Sequence, residues 1–297
     1  MKILLLGEYS GFFTNLKKGL IELGHEVTLA STGDGWKKIE GTDYQLYKCG
    51  NKNNFEAAIN CIISPYLRRR DLYGYDVVQM ISTTIYPGSI NKIMLKSIMQ
   101  HSKKSFVSVA GGCASLYRSY ISGELGYYTF DDNPELCERF KGEGRKGKRL
   151  WDQEAFIYDN VNGIIPIMYE YAVGVRHHNK CKQTIPLPFD CDGINYLPNK
   201  VNGKIRIAHG VIREKSKGTS YIKEAMKIVQ RKYPDKVEIL LDGKMPLDKY
   251  LEWLRGCNIL IDQCKEHCYG MNALYAMAEG RIVLGGASYN SLAEFGI

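Results

Sequence analysis

One stretch of the sequence, residues 259–286, constrains the fold of the chain more than any other. It opens with the apolar run Ile259–Ile261, and small and apolar residues then recur at helical spacing over Met271–Ala278. Gly280 follows, at a position where a glycine commonly ends a helix, and a second apolar run covers Ile282–Leu284. A strand, a helix and a strand in this order predict a parallel sheet with helices packed on it.

The loop between the first strand and the helix carries polar residues and a glycine turn. Asp262 and Gln263 come directly after the strand, and Tyr269 and Gly270 come directly before the helix. A helix that begins near a strand end directs free backbone N–H groups and its positive dipole end toward the loop. The pattern indicates a phosphate or carboxylate site, although a βαβ unit without any ligand has the same pattern.

Charge and composition narrow the classes of partner. The formal net charge of +8 favours an anionic partner, such as nucleotide phosphates, lipid phosphates or an anionic membrane surface. The sequence contains no nucleic-acid-binding motif, so no nucleic-acid partner is expected. Its apolar runs are shorter than the roughly 20 residues of a membrane span, and the apolar start before Glu8 is too short for a signal peptide. We expect a cytoplasmic protein, with peripheral attachment at the inner membrane face as a further expectation.

The nine cysteines are scattered without the spacing of a disulfide framework, which is typical of a reducing compartment. Cys264 and Cys268 flank His267, and these three side chains could contribute to a metal site. A second pair of ligands is not evident in the sequence, so we predict no bound metal.

The first half of the chain opens with another βαβ pattern. The apolar run Lys2–Leu6 predicts a buried strand, a loop that contains Gly11 follows, and residues 25–30 predict the next strand. The first loop lacks G-x-G-x-x-G, so a dinucleotide site is not indicated. Further strands are predicted at residues 75–80, 106–109 and 163–166.

Two basic stretches stand out in this half. Residues 66–70 combine a tyrosine, a leucine and three arginines, which is typical of a solvated helix end and also suits contact with anionic lipid headgroups. Residues 141–149 are rich in lysine, arginine and glycine, which favours a mobile loop or a flap that faces an acceptor or a membrane. A helix is predicted directly afterwards, over residues 152–158.

The second half repeats the alternation of strands and helices. Strands are predicted at 204–208 and 237–241, and a helix is predicted over 220–232. The loop after the first of these strands carries Arg213 and Lys217. Two cations in a loop before a helix suit a diphosphate, whose negative charge grows as it departs in a transfer reaction.

Residues 259–286 resemble the donor-binding signature of GT-B glycosyltransferases of the large family-four type, D-x-x-x-x-E-x-F-G-x-x-x-x-E-A-M-A-x-G-x-P-V. The residues that fall on this pattern are Asp262, Tyr269, Gly270, Ala276, Met277, Ala278, Gly280 and Val283. Residues 20–27, which read L-x-x-x-G-H-E-V, resemble the opening of the same enzymes, and Lys217 with Gly218 resembles their K-G pair. Both glutamates of the pattern are replaced, by His267 and Tyr275, although Glu266 lies one residue from the first position.

The resemblance implies an α/β fold of two Rossmann-like domains that face a cleft, the GT-B fold. Residues 1–190 would form the acceptor-side domain and residues 191–297 the nucleotide-sugar domain. The family continues with further elements after the position of Gly286, so the second domain is expected to be shortened at its carboxyl end. The activity implied is transfer of a sugar from a nucleoside-diphosphate sugar to a saccharide or lipid-linked acceptor, as in capsule or surface polysaccharide assembly. No cofactor and no metal are implied.

The resemblance also implies which residues form the site. Lys217, Arg213 and His267 are the catalytic candidates, the two cations because they would stabilise the departing diphosphate. The candidates for donor binding are Gly11, His209, Gly210, Asp242, Gly243, Lys244, Asp262, Gln263, Tyr269, Gly270, Met271, Asn272 and Tyr275. Tyr275 can make hydrogen bonds but cannot hold a ribose diol as a carboxylate does.

Two other functions stay open at this point. The loss of both family glutamates suits a non-catalytic protein that only binds a nucleotide sugar. A nucleotide-sugar epimerase on the same fold is less favoured, because the sequence shows no evident acid and base pair.

Overall fold

The chain folds into two compact α/β units. A computed structural model describes residues 1–48, 54–111 and 114–297. The first unit contains residues 1–124 and 137–188, and the second contains residues 125–136 and 189–297.

The first unit is built on a six-stranded, all-parallel sheet. Its strands are β1 (Lys2–Leu6), β2 (Glu26–Ser31), β3 (Tyr44–Gln45), β4 (Val77–Met80), β5 (Lys104–Val109) and β6 (Gly163–Pro166). They pair in the order β3-β2-β1-β4-β5-β6. In the central strand β1, four successive residues are buried, as expected where helices cover both faces of a parallel sheet.

Helices of the first unit connect these strands. They are α1 (Phe12–Glu22), α2 (Asn54–Ala58), α3 (Ser64–Arg68), α4 (Asn91–Gln100), α5 (Ser115–Ile121), α6 (Pro134–Phe140), which holds residues of both units, α7 (Gly144–Asn160) and α8 (Tyr169–Ala172). A π-helix (Ile59–Ile63) joins α2 to α3, and 3-10 turns lie at Gly35–Lys37 and Arg69–Leu72. Among the described ranges, no helix is both long and apolar enough to cross a bilayer.

The second unit is built on a smaller parallel sheet. Its strands are β7 (Ile205–Gly210), β8 (Val237–Asp242), β9 (Ile259–Ile261) and β10 (Ile282–Leu284), and they pair in the order β10-β9-β7-β8. Its helices are α9 (Glu214–Lys217), α10 (Thr219–Lys232), α11 (Leu247–Arg255), α12 (Met271–Ala278) and α13 (Tyr289–Phe295). Ile222 and Met226 of α10 pack on Ile207 and Val237 of the sheet to form a core cluster.

The fold class predicted from the sequence is confirmed. Each strand that the apolar runs predict is present within a few residues of its predicted position. Both sheets are entirely parallel, as the alternation of strands and helices requires.

The basic run 141–149 is not the loop that its composition favoured. Helix α7 begins at Gly144 and takes up most of the run. Gly147 allows close packing, because a Cβ there would lie 2.9 Å from the backbone of Gly142. The indole of Trp151 donates a hydrogen bond of 2.8 Å to the carbonyl of Phe140, which ties α7 to the preceding helix.

The sequence suggested a single boundary at residue 190, which would place residues 125–136 in the first unit. In the structure these residues pack with the second unit instead. Asp132 accepts a hydrogen bond of 2.6 Å from the ammonium of Lys265 and one of 3.2 Å from the hydroxyl of Tyr221. These contacts join a segment of the first half of the chain to loops and helices that follow more than 80 residues later. No short-range pattern in the sequence predicts such a contact.

Candidate functional site

The candidate site lies at the carboxyl edge of the second sheet. Strand β8 pairs with one side of β7, and the later strands β9 and β10 lie on its other side. The order of the strands therefore reverses between β7 and β9. In open α/β sheets, ligands bind at the carboxyl ends of strands at such a switch point. The segments that follow β7 and β9, residues 211–218 and 262–270, carry seven of the sixteen residues predicted for the site.

A buried ion pair joins these two loops. The ammonium of Lys217 lies 2.6 Å from Oδ1 of Asp262, and only 3% and 2% of the two side chains are exposed. The backbone N–H of Cys264 also donates to the carbonyl of Lys217, at 3.1 Å. The two charges compensate each other, so the ammonium predicted to bind a diphosphate already has an anionic partner from the chain itself.

Asp262 also faces the start of helix α12. Its Oδ2 atom is buried and, within the described part of the chain, has no hydrogen-bond partner. It lies 3.7 Å from the point where a Cβ on Gly270 would be. Gly270 precedes α12 and has no side chain with which to cap it. The carboxylate of Asp262 therefore lies close to the positive end of the helix that was predicted to bind an anion.

His209 links the strand β7 to β9 and α10 beneath the loops of the site. The residue is fully buried at the end of β7, next to Gly210. Its Nδ1 lies 2.8 Å from the carbonyl of Ile261, which can only accept, so Nδ1 carries the proton. Its Nε2 then accepts from the hydroxyl of Thr219, also at 2.8 Å. Burial lowers the pKa of His209 below its ordinary value of 6.5, and the charge of Lys217 acts in the same direction. His209 is a neutral structural tie between β7, β9 and α10.

This burial of His209 predicts a pH dependence of stability. Below about pH 6.5 the unfolded chain binds a proton at His209 more readily than the folded chain, so the free energy of unfolding contributed by this residue falls as the pH falls. The variant His209→Gln should lose about 1–3 kcal/mol at neutral pH through its buried hydrogen bonds, and should lack this part of the pH dependence.

The measurement is urea unfolding of both proteins at a series of pH values from about 8 down to about 5. The difference between the two curves of unfolding free energy against pH isolates the contribution of His209 from that of carboxyl groups that titrate in a neighbouring pH range. His101→Gln, which replaces an exposed histidine by the same residue type as His209→Gln does, is the matched control for the loss of an imidazole. Parallel profiles for wild type and His209→Gln would contradict the prediction.

Glu266, which was not predicted as a site residue, lies in the same loop as Asp262 and Gln263. Burial raises its pKa, the charges of Arg213 and Lys217 lower it, and the charge of Asp262 raises it. Its carboxylate accepts a hydrogen bond of 3.2 Å from the amide of Gln263. Arg213 precedes α9 with a left-handed backbone (φ 52°), and its charge acts on Glu266 from the segment after β7.

A cavity of about 420 Å³ opens beside Glu266 and Gln263. Its other lining residues are Tyr127, Ile261, Cys264, Leu284, Gly285, Gly286, Ala287 and Ser288. Gly286 is required by close packing, because a Cβ there would lie 2.4 Å from the carbonyl oxygen of Glu266. The cavity thus combines a carboxylate, an amide and a hydroxyl at the carboxyl ends of β9 and β10, which suits a ligand rich in hydroxyl groups.

His267 is turned toward residues 125–136. Its Nε2 donates to the carbonyl of Tyr127 at 2.9 Å, and its ring stacks on the ring of Tyr127 with 4.3 Å between centroids. Its Nδ1 lies 3.3 Å from the hydroxyl of Ser288. The residue is buried, and these contacts give it a role in holding the cavity wall. The catalytic role assigned to it from the sequence remains a prediction, and the geometry favours Glu266 for contact with a ligand.

Two of the donor-binding candidates on helix α12, Met271 and Tyr275, are buried against the rest of the unit. Tyr275 is buried and packs edge-on against Phe189, with 5.0 Å between ring centroids. Met271 is also buried, Asn272 is partly exposed in the first turn, and the ring of Tyr269 lies near Phe295. These contacts leave the ribose role of Tyr275 a prediction that the packing does not favour.

The loop after β8 lies against the loop after β7. The backbone N–H of Val211 donates to the carbonyl of Asp242 at 2.7 Å, and the Asp242 carboxylate accepts from the N–H of Gly243. A Cβ on Gly243 would lie 2.3 Å from the carbonyl oxygen of Val211, so only glycine fits there. Lys244 follows with a left-handed backbone. The structure therefore brings Asp242, Gly243 and Lys244 to the same sheet edge as the switch-point loops.

Gly11 lies in the first unit, at the start of α1. Its backbone N–H donates to the buried carboxylate of Glu8 at 3.0 Å. The N–H and the hydroxyl of Thr14 donate to the same carboxylate, each at 2.8 Å. The backbone N–H of this donor-binding candidate is therefore already bound to an anionic side chain.

No group of three or more histidine, cysteine, aspartate or glutamate side chains with metal-binding geometry occurs in the ranges that the structure describes. Cys264 is exposed, while the buried thiol of Cys268 lies 2.5 Å from the hydroxyl of Ser291. The ring nitrogens of His267 contact the residues described above. The three side chains around His267 therefore do not converge.

Comparison with known proteins identifies the fold class. No known family matches the sequence, and no curated protein matches it. Solved structures do match: a protein from Listeria monocytogenes described as a UDP-N-acetylglucosamine 2-epimerase has 11% identity and a TM-score of 0.51, over 95% of this chain and 78% of that one. S. aureus MnaA, solved with UDP, has 12% identity and a TM-score of 0.51, over 96% and 79%. The glycosyltransferase of kitacinnamycin has 11% identity and a TM-score of 0.50, over 98% and 82%.

These likenesses span nearly the whole chain and show its fold. The chain has two Rossmann-like α/β units of the GT-B class, as the sequence predicted. Identities of 11% and 12% carry no information about the reaction.

Proposed function

We propose that the chain is a glycosyltransferase that moves a sugar from a nucleoside-diphosphate sugar to a saccharide or lipid-linked acceptor in surface polysaccharide assembly. The observation that carries this proposal is the cluster at the switch point. A carboxylate and an amide (Glu266 and Gln263) line a cavity there that is large enough for a sugar, and the charge of Arg213 lowers the pKa of Glu266. The GT-B fold and the resemblance of residues 259–286 to a donor-binding signature support it.

Each group has a role in the proposed reaction. The guanidinium of Arg213 can bind the diphosphate through paired N–H groups, and its charge stabilises the leaving group as negative charge develops. Glu266 and Gln263 accept and donate hydrogen bonds to sugar hydroxyls in the cavity. Lys217 and Asp262 hold the two loops together through their buried ion pair.

The test begins with thermal unfolding in the presence of a panel of UDP-, GDP- and ADP-sugars, because a ligand that binds the folded state raises the melting temperature. UDP-sugars come first, since S. aureus MnaA was solved with UDP. The sugar nucleotide that stabilises the protein is then incubated with saccharide and lipid-linked acceptors, and product is measured by mass spectrometry. Transfer of the sugar supports the proposal.

Two other outcomes identify the alternatives. Binding without transfer or hydrolysis favours a non-catalytic nucleotide-sugar-binding protein, which the replacement of both family glutamates by His267 and Tyr275 suits. Conversion of the sugar nucleotide to an isomer without acceptor identifies an epimerase. Failure of every sugar nucleotide to stabilise the protein would contradict the proposal and both alternatives.

A further inference from the structure

A weakly buried helical segment of the first unit carries both exposed apolar and basic side chains. The segment runs from α2 through the π-helix into α3 and the turn at Arg69–Leu72. We call its exposed face the Leu67 surface, which consists of Phe55, Ile63, Tyr66, Leu67, Arg68, Arg69 and Arg70. The exposed fractions of its four apolar residues are 75% for Phe55, 49% for Ile63, 39% for Tyr66 and 68% for Leu67. A single exposed apolar residue is ordinary, but four on one short segment indicate a contact surface.

The apolar and basic residues share a side of the segment. Ile63, Tyr66, Leu67 and Arg70 have helical spacings of three, four and seven residues, which places them close together. The guanidinium of Arg69 lies over the ring of Tyr66, 4.2 Å from its centroid, and donates to the Tyr66 carbonyl. The basic group therefore lies directly beside the apolar one.

The local charge is positive. Three arginines follow one another, and Asp71 is the acidic residue next to them, with a carboxylate 3.5 Å from Nε of Arg68. The guanidinium of Arg68 lies 4.7 Å from the ring centroid of Tyr44, and both Arg68 and Arg70 remain exposed. Glu56 of α2 is the other acidic residue of the segment, and two carboxylates against three guanidinium groups leave a net positive surface.

We propose that the Leu67 surface docks on an anionic phospholipid bilayer. Leu67, Ile63 and Phe55 would enter the boundary between headgroups and acyl chains, and the three arginines would bind lipid phosphates. Tyrosine and arginine suit this depth, since each has an apolar body and a polar tip. The proposal is independent of the reaction that the protein catalyses.

Charge complementarity favours a bilayer over the other occupants. A second copy of this chain, paired through the same surface by two-fold symmetry, would bring two net positive surfaces together. A nucleic acid would satisfy the arginines but would leave the apolar side chains without a partner. An anionic bilayer matches both parts of the surface, and the net charge of +8 acts in the same direction.

The test is co-sedimentation of the full chain with vesicles. Vesicles of phosphatidylglycerol and phosphatidylcholine in equal parts are compared with vesicles of phosphatidylcholine alone, at about 0.15 M and about 1 M salt. We expect binding to the anionic vesicles at the lower salt, and weaker binding at the higher salt, where the screening length falls from about 8 Å to about 3 Å.

Two variants test the two parts of the surface. Arg68→Ala combined with Arg70→Ala should weaken binding to anionic vesicles about 25-fold, since each arginine near such a surface contributes about fivefold. Leu67→Ser should weaken it about tenfold through lost apolar burial. All three residues are exposed, so the melting temperature should not change, and thermal unfolding checks this.

Matched controls come from elsewhere in the chain. Leu23→Ser removes an apolar residue that is 73% exposed, and Arg231→Ala removes an exposed arginine, and both should bind as wild type does. The proposal is overturned if wild type binds neither kind of vesicle, if it binds both equally, or if the surface variants bind as the controls do. Self-association in sedimentation that Leu67→Ser abolishes would also overturn it, because the surface would then contact a second copy.

Discussion

Replacing Lys217 with methionine is expected to lower the free energy of unfolding by about 3–5 kcal/mol. The ammonium of Lys217 and the carboxylate of Asp262 are 2.6 Å apart and almost completely buried. Removing one partner leaves the other as an uncompensated charge in the protein interior, which costs about this much. Denaturant unfolding followed by circular dichroism measures the effect as a lower midpoint with an unchanged slope.

A double variant separates the ion pair from its surroundings. Combining Lys217→Met with Asp262→Leu replaces both charges by apolar side chains, and such replacements of buried pairs are often neutral or stabilising. We therefore expect the double variant to recover most of the loss. The solvent-exposed pair of Lys249 and Glu252, with 2.9 Å between its charged atoms, is the matched control, since Lys249→Met should leave the unfolding midpoint close to that of wild type. Unchanged stability of Lys217→Met would show that the pair is not closed in solution.

The same double variant tests whether the pair acts in binding. The sequence resemblance assigned Lys217 to the departing diphosphate, while the structure gives the ammonium an internal partner. If the charge of Lys217 reaches the diphosphate, the stable double variant should lose both donor affinity and turnover. A double variant that keeps both would limit Lys217 and Asp262 to holding the loops together.

Glu266→Gln is expected to lower turnover about 100-fold or more while stability changes by less than about 1 kcal/mol. Glutamine keeps the size of the side chain but removes the charge that would interact with the sugar as positive charge develops on it. Burial raises the pKa of Glu266, so the ionised form is gained only as the pH rises past a value above the ordinary one. As the pH is lowered, turnover should therefore begin to fall at a higher pH than it would if the carboxylate were exposed. This pH dependence should be absent in Glu266→Gln.

Two comparison variants make the Glu266 prediction specific. Glu224→Gln changes an exposed glutamate on α10 and should leave turnover unchanged. His267→Gln should lower stability, because His267 stacks on Tyr127 and donates to its carbonyl. Steady-state kinetics with the donor identified by thermal unfolding measure all three. Turnover that survives Glu266→Gln and is lost in a stably folded His267→Gln would return the catalytic role to the histidine.

Local pattern was sufficient for the architecture. Apolar runs such as Lys2–Leu6 and Ile259–Ile261 form strands because a parallel sheet covered on both faces needs consecutive apolar residues. Polar residues directly after such a run, such as Asp262 and Gln263, must lie at the carboxyl edge. These rules act over a few residues, so the fold class and the sheet edge that holds the candidate site could be read from the sequence.

The local sequence pattern was not sufficient to predict structure where a segment is held by contacts with residues elsewhere in the chain. Residues 144–149 of the basic run belong to helix α7, where Gly147 packs closely on Gly142 and the indole of Trp151 donates to the carbonyl of Phe140. Composition alone favoured a loop there, since the glycines at 142, 144 and 147 lower helix propensity, and composition does not report tertiary packing.

The sequence by itself determined two parallel α/β units and the edge at which polar residues collect. Only the tertiary structure decided which of those residues line a cavity and which are bound within the chain: it paired Lys217 with Asp262, turned His267 toward Tyr127, and placed Glu266 on the cavity. The physical reason is that strand and helix formation depends on neighbours along the chain. The exposure and charge of a site residue depend on contacts that reach from 45 to 140 residues along it.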